Sequence, residues 1–480
     1  MHPHIQTLLT CIDLEEKEQA NRYKLDQTHT LRQLKAEGLA LHPIIVTRRN
    51  FGYADYPDIT FKLNFPPEVN LFRDGAAIEC FITGEEPVKG VLLNLDGKNG
   101  EFRLFAPDFP DWIEDDGVGI KLAPDTRTSS IMKKVMQGLE KNEPLFQLFE
   151  QLHAANPVVA SSAPIAIPSL DFRNAKLNAS QQQAVSAVVQ NENICIVHGP
   201  PGTGKTTTLI EAILQLIKVG EKVVVAAPSN TAVDHLAKGL IQQGVQLLRV
   251  GNISKVDEQI FAHTPEGKLK TSNAQKEIKQ LKIRAEEFRK MALKYKRSFG
   301  KAERAQRSLL FKEVKNIRTE IKKLQAYNEE KLFAEATVIA GTPIGLYDAG
   351  INHLHFQTLV IDEAGQCMEP LAWCIFPLAD KIVLAGDHWQ LPPTVLSREA
   401  AVLGFNESIL ERAISKTEHV ILLNTQYRMR QAIAGFSSHY FYTNLLQTAE
   451  HLQNTGVHLT FIDTAGSGYN EKHGPDGSSL

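Results

Sequence analysis

The sequence predicts an α/β fold carried by a parallel sheet with both faces buried, and three observations predict it. From residue 177 onward, short apolar runs alternate with helical segments: "NICIVHG", "KVVVAAPSN", "ATVIAGTP", "TLVIDEAGQ", "KIVLAGDHWQ" and "HVILLNTQYR". Continuous apolar strands without in–out alternation are strands covered on both sides. Each run ends in polar or glycine-containing residues, where open α/β sheets gather their ligands. One such end is "HGPPGTGKTTTL", residues 198–209, a glycine-rich loop between a strand and a helix.

At 480 residues the chain has room for about three domains. Its 43% hydrophobic and 22% charged content is that of an ordinary globular protein. No apolar run approaches the roughly 18 residues a membrane helix needs, so no membrane partner is expected. Met1-His2-Pro3-His4 lacks the basic and apolar regions of a secretory signal. A cytoplasmic or nucleoid-associated protein is therefore expected, not a secreted one. Five cysteines (Cys11, Cys80, Cys195, Cys367, Cys374) form no CxxC pair and read as reduced core thiols. The net charge of −3 hides an asymmetry: Glu266 to Lys331 holds 20 Lys and Arg against 9 Glu, a surplus of 11. A basic element on an acidic body points to a polyanion nearby.

The elements follow in order. Residues 4–36 carry periodic leucines without proline or glycine and predict one long helix. "ITFKLNF" alternates strictly, with Ile59, Phe61, Leu63 and Phe65 on one face. With "AAIECFITG", "KGVLLNLDG" and "GEFRLFAP" at turn-rich spacing, residues 38–125 read as a small antiparallel barrel. Residues 126–153 return to helix, and 156–170 are a Pro/Ala/Ser linker. Within the basic segment, Ile278, Leu281, Ala285, Phe288, Ala292 and Tyr295 step by three and four, as do Leu310, Val314, Ile317, Ile321 and Leu324 beyond "SFG". That spacing predicts an antiparallel helical hairpin.

The chemistry is that of Mg-dependent nucleotide hydrolysis. In Gly199-Pro200-Pro201-Gly202-Thr203-Gly204-Lys205-Thr206-Thr207, glycines let backbone N–H groups approach phosphates. Lys205 reaches the β/γ oxygens and Thr206 ligates Mg²⁺. "TLVIDEAGQ" delivers Asp362 and Glu363 to a strand end, suiting a metal-bound carboxylate followed by a base that positions water. Gln181 in "LNASQQQAV" either closes a capping box with Asn178 or reads an adenine edge.

Together, "LNASQQQAV", "GPPGTGKTTTL", "APSNTAVDHL", "VIDEAGQ", "VLAGDHWQLPP" and "LNTQYRMR" resemble the ordered motif set of superfamily-one helicases. They are most similar to the Upf-one branch and its immunoglobulin-mu-binding-protein-like members. The resemblance covers about 170–465. It implies a RecA-like P-loop NTPase motor domain at 177–415, the basic hairpin inserted at 266–332. It further implies a stalk helix at 1–37, an accessory barrel at 38–125, stalk helices and linker at 126–176, and the start of a second RecA-like domain at 416–480. By resemblance, Gln181 contacts adenine, Lys205 and Thr206 the phosphates and metal, and Asp362 holds Mg²⁺. Glu363 polarises the attacking water, Gln390 senses the γ-phosphate, Tyr427 packs on the base and Arg428 is an arginine finger. Pro228, Ser229 and Asn230, with Thr342 and Pro343, track a single-stranded DNA or RNA backbone. The implied activity is ATP-dependent translocation, 5′ to 3′; a nucleotide-dependent clamp that grips without unwinding is the alternative. Trp389, where relatives carry a small residue or cysteine, packs internally or stacks on a base. After "LTFIDTAGS" the family pattern expects most of a second motor domain, so the natural protein is expected to continue. The chain alone is expected to hydrolyse slowly.

Overall fold

The computed structural model describes residues 1–22, 30–51, 56–106, 108–124, 126–154, 170–190, 193–251, 256–270, 274–293, 301–417, 419–453 and 463. The chain opens with α1 (Pro3–Arg22), and α2 (Leu31–Ala36) is a separate helix. The single helix expected over 4–36 does not form. Thr30 lies in extended backbone, its side chain accepts from Gln33 N, and the Gln33 side chain reaches back to Thr30 N. A capping box starts a helix and cannot sit inside one.

Residues 40–122 make one antiparallel sheet of β1 (Ala40–Leu41), β2 (Ile45–Phe51), β3 (Pro57–Lys62), β4 (Ala77–Phe81), β5 (Val88–Asp96), β6 (Asn99–Leu104) and β7 (Gly119–Leu122). Its order is β1-β7-β4-β5-β6-β3-β2, and among the described residues no ladder joins β1 to β2. Ile59, Phe61 and Leu63 point inward as the alternation requires, joining Leu92, Phe102 and Ile120 in a separate core. Gly100 makes room for that core, since a Cβ there would stand 2.5 Å from the Phe61 ring. Phe65 departs from the expected face and is 80% exposed. The strand ends at Lys62, so its alternation no longer governs residue 65.

Helices α3 (Thr126–Gly138) and α4 (Glu143–His153) return alongside α1. After α5 (Ala179–Gln190) come seven parallel strands: β8 (Ile194–His198), β9 (Val223–Ala226), β10 (Leu247–Arg249), β11 (Val338–Gly341), β12 (Phe356–Ile361), β13 (Ala379–Gly386) and β14 (Val420–Leu422). Their order is β10-β11-β9-β12-β13-β8-β14. Both faces are covered. Ile194 and Ile196 of β8 pack with Ile5, Ile12, Met132 and Phe149 of the N-terminal helices. Cys195 and Val197, pointing the other way, pack with α5, α6 (Lys205–Lys218) and α7 (Asn230–Gln242). All five cysteines are buried and free.

Two strands differ from expectation. "HVILLN", expected to begin a second domain, supplies β14, which pairs with β8 through Val420↔Ile196 and Leu422↔His198. Apolar, and parallel to β8 in register, it completes this sheet's edge. At the opposite edge, β10 is only three residues long, too short for a periodicity to reveal.

Between β10 and β11 stand α8 (Pro265–Lys270), α9 (Ala274–Leu293) and α10 (Lys301–Glu335). Ile278, Ala285, Ile317 and Ile321 are buried between the two long helices, backed by Leu281, Phe288 and Leu324. Tyr295 and the "SFG" turn lie outside the described residues. The hairpin is seated on the N-terminal sheet: Arg318 reaches Asp108 at 3.1 Å and lies 4.2 Å over the Phe51 ring. Arg289 stands 3.9 Å from Asp108 and 5.2 Å over Phe109. Short helices α11 (Pro343–Asp348), α12 (Glu369–Trp373), α13 (Arg398–Val402) and α14 (Ile409–Ile414) fill the strand connections. Beyond β14, β15 (Thr425–Gln426) and β16 (Gln447–Thr448) pair in parallel around α15 (Gln431–Phe441). "VHLTFID" falls almost entirely outside the described residues.

Candidate nucleotide and nucleic-acid site

The phosphate loop leaves β8 and enters α6, its mouth tied to the neighbouring strand by Gly199 N donating to Gly386 O at 2.9 Å. Gly202 and Gly204 have φ of +77° and +76°, a region open to glycine and costly for other residues. Space demands glycine as well. A Cβ on Gly202 would lie 2.4 Å from Arg428 Cβ, and one on Gly204 2.6 Å from Gln181 Nε2. Within the loop, Thr203 donates its hydroxyl to Pro200 O at 2.7 Å. Pro201 and Thr206 are half-buried and Thr207 is exposed on the first turn of α6.

Two strands away, β12 carries Asp362 and Glu363. Asp362 is 3% exposed. Burial pushes its carboxyl up to about 6, opposed by Lys205 and reinforced by Glu363. Glu363 adopts φ +53°, a left-handed conformation costing a non-glycine residue about 1–2 kcal/mol. Its carboxylate lies 3.1 Å from Lys205 Nζ. Lysine and two acids, Lys205 and Asp362 lying 157 residues apart in the chain, thus meet at one end of the sheet beside the glycine loop. These residues fit a nucleotide with its divalent cation: loop N–H groups and Lys205 for phosphate, Asp362 and Thr206 for the metal.

Gln181 forms a reciprocal cap with Asn178. Its Oε1 accepts from Asn178 N at 2.9 Å, and its backbone N donates to Asn178 Oδ1 at 2.9 Å. Its Nε2 donates to Thr203 O at 3.0 Å, so the side chain also braces the phosphate loop. Asn178 Nδ2 in turn donates to the Tyr427 hydroxyl at 2.8 Å. Tyr427 N donates to Gly202 O at 2.8 Å, seating the "QYR" segment on the loop. Gln426 holds this segment in shape, its Oε1 accepting from Arg428 N and Met429 N. The Arg428 residue is exposed.

Sequence reasoning missed the group that organises Gln390. Buried Asp387 accepts from Gln390 Nε2 (2.9 Å), His198 Nε2 (3.0 Å), Trp389 N (3.1 Å) and the Tyr442 hydroxyl (2.6 Å). Burial would raise its carboxyl, but His198, Tyr442 and Gln390 outweigh burial and hold it at about 2. The acid therefore links the strand before the phosphate loop, the residues after β13 and the end of α15. Its only sequence signal was an Asp at a strand end three residues before Gln390. Trp389 is 52% exposed, with His388 and Phe441 rings 4.6 and 5.8 Å away.

The proposed strand-tracking residues lie at the ends of β9 and β11. Ser229 caps α7, accepting from Ala232 N, with Pro228 and Asn230 half-buried on either side. Thr342 caps α11, accepting from Gly345 N, and Pro343 is buried behind it.

Two family models, both described as AAA domain, match residues 176–398 and 405–473. The DNA-binding protein SMUBP-2 of Rattus norvegicus is 31% identical over 98% of this chain and 50% of its own length. The ATP-dependent helicase NAM7 of Saccharomyces cerevisiae is 34% identical over 59% of this chain and 27% of its own length. A solved complex of Arterivirus nonstructural protein 10 (helicase) with DNA covers 89% of this chain and 63% of its own, at 10% identity and a TM-score of 0.35. The chain thus spans about half the length of the SMUBP-2 relative it matches. With two AAA-domain models matching 176–398 and 405–473 and SMUBP-2 matching over 98% of its residues, the chain belongs to the Upf-one-like branch of superfamily-one helicases.

Proposed function

We propose that this chain is the ATP-hydrolysing part of a helicase or translocase acting on single-stranded DNA or RNA, with 5′ to 3′ polarity. The observation that carries this is the meeting of Lys205, Asp362 and Glu363 beside a glycine loop on which the "QYR" segment sits. Asp362 and Thr206 would hold Mg²⁺, which would supply positive charge against that of the phosphates. The protein's own residues do the rest. Lys205 supplies a fixed cation, and on turning to phosphate it releases Glu363 to accept a proton from water. Gln390 has a second Nε2 hydrogen beyond the one Asp387 fixes, and it points this at the γ-phosphate. Gln181, which also braces the loop, contacts the adenine, and Tyr427 offers its ring to the base. Arg428, beside Gly202 of the loop, acts as the arginine finger.

In the same reading, 1–37 and 126–176 are the stalk, 38–125 the accessory barrel, 177–415 the first motor domain with its insert at 266–332, and 416–480 the start of the second. The strand edge β14 belongs with the first. Pro228, Ser229, Asn230, Thr342 and Pro343 offer small polar groups suited to sequence-independent backbone contacts. Among the described residues no helix is long and apolar enough to cross a membrane. The test is the ATPase rate with and without poly-dT and poly-U, together with displacement from a tailed duplex. Polymer-stimulated hydrolysis is expected. Nucleotide-dependent binding without displacement by any longer version would favour a clamp, and a rate indifferent to both polymers would overturn the proposal.

A further inference from the structure

We propose that Arg249 is a positioning residue that orients the Asn230 amide toward nucleic acid and holds the loops after β9 and β11 at a fixed spacing. The proposal rests on the reading of those loops as the single-strand track. Arg249 is a charged side chain with no solvent exposure, at the end of edge strand β10. Its Nε donates to Asp234 Oδ1 at 2.7 Å, its Nη2 to Asn230 Oδ1 at 2.9 Å, and its Nη1 to Val250 O. Asp234 is committed on its other side, where Oδ2 accepts from Asp257 N at 2.9 Å. Burying a charge is tolerated only when it is paired and hydrogen-bonded, and all three guanidinium nitrogens are used here.

What this does to Asn230 follows from donor and acceptor chemistry. An arginine has donors only, so it can accept nothing from the amide N–H₂ and must face its oxygen. That fixes which way Asn230 points. Its Nδ2, with two hydrogens and no partner among the described residues, is turned away from Arg249. A phosphate has acceptors only, so this is the orientation a nucleic-acid backbone needs. Turned over, the same amide would offer phosphate an oxygen.

Gly251 lies between Arg249 and the second loop. A Cβ on Gly251 would stand 3.2 Å from Arg249 Nη1 and 3.8 Å from Gly345 Cα. Gly345 belongs to the turn that Thr342 caps. Strand pairing reinforces this, since Arg249 lies opposite Ala340, two residues before Thr342. One buried guanidinium therefore sits behind both loops. It is also remote from the phosphate loop: β10 is five ladders from β8, about 24 Å at the usual strand spacing.

The test is binding of a labelled oligo-dT by anisotropy to the parent, Asn230→Ala, Arg249→Lys and the double variant, each with a melting curve. Asn230→Ala should weaken binding about threefold to tenfold, the worth of one net hydrogen bond. Arg249→Lys keeps the charge but loses the fork, and should weaken binding comparably. The double variant should be no weaker than either single one, because both remove the same aimed donor. Multiplicative losses in the double variant would overturn the positioning role while leaving the track reading intact. Parental binding by Asn230→Ala would overturn both. Asn230→Asp decides the matter even if Arg249→Lys fails to fold, since it keeps Arg249 paired but offers phosphate no donor. It should bind more weakly than Asn230→Ala, and equal or tighter binding would overturn the orientation argument.

Discussion

At the phosphate-loop end of the seven-stranded parallel sheet, the candidate residues Lys205, Asp362, Glu363 and Gln390 all follow closely on strand ends. Lys205 opens the helix after β8, Asp362 directly follows β12, and Gln390 comes four residues after β13. At the seam between the hairpin and the N-terminal sheet, Arg318 and Asp108 are 210 residues apart in the chain. The first region is assembled by strand pairing, which a local motif announces. The second is assembled by docking of two units that each fold around a separate core. The two should therefore break separately: the first through chemistry, the second through grip and rigidity.

The largest effect belongs to the first region. Lys205→Ala should lower ATP turnover by at least about a hundredfold, the scale for losing one preorganised electrostatic partner of the transition state. Glu363→Gln should still bind nucleotide yet turn over at a comparably reduced rate, giving a trapped complex. A parental rate for Glu363→Gln would remove that residue as the base.

Replacing 268–331 by a short Gly/Ser loop sharpens the contrast. Basal ATPase should stay near the parental value. Single-strand affinity should fall about tenfold at low salt, with a shallower dependence on salt as phosphate contacts are lost. Unchanged affinity and slope would show that the surplus charge is only a solvated surface. The docking geometry gives a smaller prediction. Arg318→Met removes the contact to Asp108 and the stacking over Phe51, an interaction of about 1–2 kcal/mol when partly desolvated. Tryptic cleavage within α9 and α10 should accelerate about fivefold or more, with ATPase unaffected. Equal cleavage rates would mean that the sheet does not restrain the hairpin.

This contrast also explains what the sequence could and could not reveal. The apolar runs of the parallel sheet, the phosphate loop and the acids after "TLVI" follow short-range rules and were legible. The hairpin's periodicity was legible too, because Ile278, Ala285, Ile317 and Ile321 repeat at helical spacing. Its seat was not, since nothing near Arg289 or Arg318 encodes Phe51, Asp108 or Phe109. The same limit hid Asp387, whose partners His198 and Tyr442 lie 189 and 55 residues away. The β14 strand was legible as a strand and misassigned as to sheet, because an apolar run states that it is buried but not beside which neighbour. The break at Thr30 was missed for a different reason. Leucine spacing persists across it, and only the Thr30–Gln33 reciprocal bond reveals a second start.

The smallest predicted effect concerns another long-range seam, where the N-terminal helices meet the parallel-sheet unit. Glu369, 3% exposed as a side chain, accepts from His153 Nε2 at 2.8 Å and Trp373 Nε1 at 3.0 Å, with His4 Nε2 at 3.4 Å. Burial alone would raise its carboxyl, but hydrogen bonds from His153, His4 and Trp373 hold it well below the usual carboxylate range. Burial lowers His153, outweighing the pull of Glu369, so a neutral imidazole donates its N–H to a carboxylate. Both groups therefore bind protons less readily folded than unfolded. Their stabilisation is present above the unfolded values of 6.5 and 4.5 and is lost as pH falls, first at His153. Acidifying from pH 7.5 to 5.5 should lower the melting temperature by a few degrees, and His153→Gln should flatten that slope while leaving turnover at pH 7.5 near the parental rate. An identical slope in His153→Gln would move the acid sensitivity elsewhere. A large loss of turnover would mean that this seam is coupled to the phosphate-loop end of the sheet.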